Sequence, residues 1–107
     1  MSARRYEILL PLKDNHGREI DPAKFLQTKN DLVRRFGALT VEPQPLQGVW
    51  APAGEAGRME DILLKFVVDV EEDTPEVEEF FRQFKEALKA RFDQLDVWIV
   101  AFPIRII

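Results

Sequence analysis

The chain has 107 residues, of which 46% are hydrophobic and 32% charged, with a net charge of −4 and no cysteine. That length and composition fit one domain over residues 1–107 with a single core, and exclude a disordered chain. The missing cysteines remove disulfides, thiolate metal sites and thiol nucleophiles, and suit a reducing, cytoplasmic setting.

No stretch approaches the roughly 20 apolar residues of a membrane span. The apolar run Ile8 to Leu12 is too short for a secretory leader and already contains Pro11. Charge is uneven: residues 1–37 hold eight Lys/Arg against five Asp/Glu, and residues 38–107 hold seven against fourteen. The basic cluster Lys24, Lys29, Arg34 and Arg35 falls within one predicted helix, so no dominant basic face supports nucleic-acid binding.

Residues 4–12, RRYEILLPL, alternate with period two and predict a strand with Tyr6, Ile8, Leu10 and Leu12 on one face. KDNHGRE is a turn. Asp21 followed by Pro22 marks a helix start, and Gly37 a stop, so a helix is predicted from about 22 to 36 with Phe25, Leu32 and Phe36 inward. Ala38 to Glu42 reads as a strand ended by Pro43 and Pro45, and Val49–Trp50 as a second short extended piece. APAGEAGRM is a loop.

DILLKFVVDV, residues 61–70, is the clearest strand, with Ile62, Leu64, Phe66, Val68 and Val70 on one face. The acidic run Glu71, Glu72 and Asp73 before Thr74 and Pro75 reads as helix capping, and Val77, Phe81, Phe84, Leu88 and Phe92 give a helical apolar stripe. VWIVAFPIRII is a closing strand, apolar on both faces.

The order strand, helix, strand, strand, helix, strand predicts an α+β, ferredoxin-like βαββαβ sandwich: an antiparallel sheet with two helices on one face. The strands near 5–12 and 61–70 are expected in its middle. Trp98, Val100, Phe102 and Ile104 are expected beneath the helices. The opposite, open face is then expected to show Leu9, Leu63, Val67, Val97, Ile99 and Ala101, interrupted by Glu7, Lys65 and Asp69.

RYEILLPL, LTVEP, GVW, the strand around Phe66 and ALKARFDQLDVWIV resemble a group of small bacterial proteins with no assigned function. The resemblance spans most of the chain. It implies a ferredoxin-like unit and supplies no functional residue.

Two places could carry chemistry. His16 is the sole histidine, in the turn DNHG, and could act as a general base. No ligand spacing for a metal and no phosphate loop or other cofactor motif occurs, so neither metal nor cofactor is expected. The apolar open face, with Leu9, Leu63, Val67 and Ile99, and the tryptophan Trp50 on a bent edge, are candidate binding surfaces for a partner or ligand.

The expected function is a non-catalytic binding or assembly module, a homodimer through its sheet face, with no nucleic-acid or membrane partner. The alternative is an enzyme of the dimeric α/β-barrel kind, acting on a small hydrophobic ligand with His16 in proton transfer.

Overall fold

The alternation of RRYEILLPL decides where the core lies. In β1 (Ala3–Pro11) the side chains of Tyr6, Ile8 and Leu10 are buried, while Arg5, Glu7 and Leu9 point to the other side and remain half-exposed. The computed structural model describes residues 2–42, 46–50 and 59–107, with 46–50 and 59–62 described by backbone alone. The remaining elements are α1 (Pro22–Phe36), β2 (Thr40–Val41), β3 (Leu46–Trp50), β4 (Met59–Val70), α2 (Pro75–Arg91) and β5 (Trp98–Ile104).

β1 pairs antiparallel with β4 on one side and β5 on the other, so β1 and β4 form the middle of the sheet β2-β4-β1-β5. Both helices pack on the face of Tyr6, Ile8 and Leu10, with Leu32, Phe81, Leu88 and Phe92 in the same cluster. The fold is α+β and ferredoxin-like. The expected strand Ala38–Glu42 is realised as β2 and the expected extended piece at Val49–Trp50 as part of β3, and both pair with β4 along one edge. Between them the Glu42 N–H donates to the Lys65 carbonyl at 3.0 Å. Pro43 and Pro45, expected to end that strand, and the predicted loop at 51–58 lie outside the described residues.

Helix ends follow local rules. The Asp21 carboxylate accepts from the Ala23 N–H at 2.9 Å, and Gly37, at φ +83°, closes α1 with its N–H on the Val33 carbonyl. The Thr74 hydroxyl accepts from the Val77 N–H at 3.3 Å at the head of α2. The acidic run therefore does more than cap. Asp73 accepts the Tyr6 hydroxyl proton at 2.6 Å and holds Arg4 at 3.0 Å, tying the loop before α2 to β1. Burial and this carboxylate hold the Tyr6 phenol far above its ordinary pKa. The same ring stacks on Phe81 at 4.0 Å. Arg91 clamps the helices together, donating to Thr28 at 2.8 Å and Asp31 at 2.9 Å.

One expectation about β5 is reversed. The register sets Ile8 opposite Ile99 and Tyr6 opposite Ala101, and residues directly opposite share a face. Ile99 therefore packs against the core and Val97 is buried, whereas Trp98 is 65% exposed and Val100 38%. The cause is the run VWIVAFPI itself. It is apolar at every position, so no polar residue marks the outer face, and a one-residue shift exchanges the two.

Phe92 is fully buried and Leu95 is 88% exposed, three positions apart. Phe92→Ala is expected to cost about 3–5 kcal/mol in urea unfolding, and Leu95→Ala less than about 0.5 kcal/mol. Equal losses would contradict the placement of the core.

Candidate ligand-binding face

The sheet has helices on one side, and among the described residues no element covers the other. Register fixes what that side presents. Across β4, β1 and β5 its rows are Asp69, Arg5 and Phe102; then Val67, Glu7 and Val100; then Lys65, Leu9 and Trp98; Leu63 and Pro11 complete it at one end. Thr40 of β2 lies beside Val67.

The charges on this face are matched. Arg5 makes a two-pronged contact with Asp69, at 2.7 and 3.0 Å. Lys65 lies 3.8 Å from Glu7, and both of these side chains are largely covered. Val67 is only 7% exposed although it lies outside the core cluster beneath the helices. The result is a floor of Leu9, Val67, Val100 and Phe102, with Trp98 standing at one corner and two ion pairs crossing it.

Of the expected face residues, Leu9, Leu63 and Val67 lie here. Ile99 does not, since its side chain faces the helices. Trp98 was hidden from a reading of sequence by the ambiguity of its strand.

His16 lies in the turn at the end where β1 leaves the sheet and β5 enters it. The Asp14 carboxylate accepts from the His16 and Arg18 N–H groups at 2.8 and 3.0 Å, and Gly17 turns the chain at φ +75°. These bonds, that of Arg18 foremost, hold the Asp14 carboxyl below the usual carboxylate range. The imidazole is exposed, and its Nε2 stands 3.6 Å from Asp93 in the loop after α2. Asp93 itself has a left-handed backbone, φ +52°. The Gln94 side chain reaches the Lys13 carbonyl at 3.4 Å and joins the two loops. An imidazole with a carboxylate at one nitrogen has its other nitrogen available for proton transfer.

Trp50 pairs by its backbone with Met59, past the Pro11–Leu63 end of the β1–β4 ladder. Its position is thus at the same end of the sheet as His16; its side chain lies outside the described residues. Among the described residues no group of three or more His, Cys, Asp or Glu could hold a metal ion. No described helix is long and apolar enough to cross a membrane.

No family model and no curated protein matches the sequence. The fold, however, is similar to that of a solved phage SAM lyase in complex with S-methyl-5'-thioadenosine. That likeness has a TM-score of 0.72 at 11% identity, covering 95% of this chain and 81% of the other. It corrects the expectation of a non-catalytic assembly module: over nearly the whole chain, this architecture is one on which an enzyme holds a small molecule.

The Arg5 contact holds the Asp69 carboxyl below its ordinary pKa. A depressed folded-state pKa stabilises the fold above the ordinary aspartate value of about 3.9, and the contribution disappears as pH falls through the lower folded value. Asp69→Asn is therefore expected to flatten the acid limb of stability below about pH 4, modestly because the pair is partly solvated. Identical acid limbs in urea unfolding would contradict the pair.

Proposed function

We propose that this chain is a small-molecule enzyme, acting as one domain, that binds an adenosyl sulfonium or thioether compound on its open sheet face. The observation that carries this reading is the likeness in fold to a lyase holding S-methyl-5'-thioadenosine. The face supports it chemically. Trp98 offers an exposed ring on which a purine can stack, and Leu9, Val67 and Val100 offer an apolar floor. The ion pairs Arg5–Asp69 and Lys65–Glu7 offer both donors and acceptors to the polar groups of such a ligand. A chain without cysteine, acting on a metabolite of this class, suits the cytoplasm.

His16 supplies the proton acceptor in this reading. In an elimination from a sulfonium, the carbon–sulfur pair goes to sulfur, which leaves as a neutral thioether. The neighbouring carbon–hydrogen pair becomes a carbon–carbon double bond, and the proton passes to the imidazole. Asp93 then faces the imidazolium that forms.

Titration with S-adenosylmethionine and with S-methyl-5'-thioadenosine is expected to raise thermal stability with the logarithm of concentration above Kd, by about 2.7 kcal/mol at a hundred times Kd. Trp98→Ala should weaken that binding, and His16→Ala should leave it while lowering turnover by about 10²–10⁴-fold. No stabilisation by either compound overturns the reading. Binding with unchanged turnover in His16→Ala removes only the histidine.

A further inference from the structure

The two edges of the sheet are protected unequally. On one side the edge is split into a two-residue β2 and a five-residue β3. On the other, β5 runs for seven residues and, among the described residues, pairs only with β1. A free edge presents a row of unpaired N–H and C=O groups, usually guarded by charge, by proline or by a short strand.

β5 has little such protection. No charged residue lies between Asp96 and Arg105. Trp98 and Val100 are exposed. Pro103 removes one N–H donor, while between Trp98 and Phe102 every second N–H and C=O points away from β1 to the free edge.

The charges that do occur stand at opposite ends and are of opposite sign. Asp96, held below the usual carboxylate range chiefly by its hydrogen bond from Lys85, is an anion at the strand's start. Arg105 is exposed at its end and has no ion-pair partner among the described residues.

We propose that β5 is a self-complementary docking edge at which two copies of this chain join, antiparallel, into one continuous sheet. The antiparallel arrangement brings Asp96 toward Arg105 of the partner subunit at both ends, whereas a parallel one would set like charges together. A two-fold axis normal to the sheet uses the free edge of each β5 once, so assembly closes at two. It also keeps the faces aligned, and the two open faces become one floor. Strand pairing with few side chains buries less than the roughly 1,200–2,000 Å² of a standard interface, so the dimer forms and dissociates with concentration. This inference stands apart from the ligand reading.

Light scattering and sedimentation across a wide concentration range test it, with circular dichroism confirming that each variant is folded. The expected result is a monomer–dimer equilibrium that stops at two, weakened about tenfold by Arg105→Asp and restored by Asp96→Arg with Arg105→Asp together. A monomer at every concentration, a larger assembly, or a dimer indifferent to Arg105→Asp and lost in Leu63→Lys overturns it. Hydrogen exchange supplies an answer without substitution. Amide protection within 98–102 must rise with protein concentration, and protection that does not change with concentration overturns the docking edge.

Discussion

Everything in this molecule depends on the register of β1 between β4 and β5. Tyr6, Ile8 and Leu10 point to the helices while Arg5, Glu7 and Leu9 point away, and both neighbours inherit that assignment through their pairing. A slip of one residue would exchange the faces and set Arg5 and Glu7 against the phenylalanines of α2. Two polar contacts on opposite sides of the strand support the register. Tyr6 and Arg4 hold Asp73 on the helix side, and Arg5 holds Asp69 on the open side. Neither contact is local in sequence, since each spans more than sixty positions.

The same constraint divides the chain's work between two surfaces. The helix side is consumed by packing: three ring pairs link Phe36, Phe80 and Phe81, and Phe25 meets Phe92 edge-on at 5.0 Å. Close packing there leaves little room for a ligand. On the other side the sheet keeps apolar rows crossed by ion pairs, with an exposed tryptophan at one corner. The likeness in fold to a lyase solved with S-methyl-5'-thioadenosine covers both of these layers. The turn carrying His16 and the loop carrying Asp93 lie at one end of the sheet because β1 ends and β5 begins there.

Much of the fold was legible because its signals are local. Asp21–Pro22 and Gly37 bracketed α1, Pro75 opened α2, the alternation of RYEILLPL and DILLKFVVDV marked two strands, and the order of elements placed both at the centre. The orientation of β5 was not legible, since every residue of VWIVAFPI is apolar and only pairing with β1 distinguishes inside from outside. That single ambiguity hid Trp98 and misplaced Ile99. Asp73 was read as one acid among three near a helix start, because its contacts with Tyr6 and Arg4 join distant parts of the chain. His16 was visible as the lone histidine, but its neighbour Asp93 comes from the loop after α2, and nothing at 93 in the sequence points back to 16.

The most direct test of the claim that the open face is the functional one is backbone and indole NMR during titration with S-methyl-5'-thioadenosine. The account predicts that shifts concentrate at Leu9, Val67, Val100 and the Trp98 indole, with the outer surfaces of both helices unmoved. Shifts confined to the exposed helix residues Leu26 and Val33, with the Trp98 indole unchanged, would contradict it.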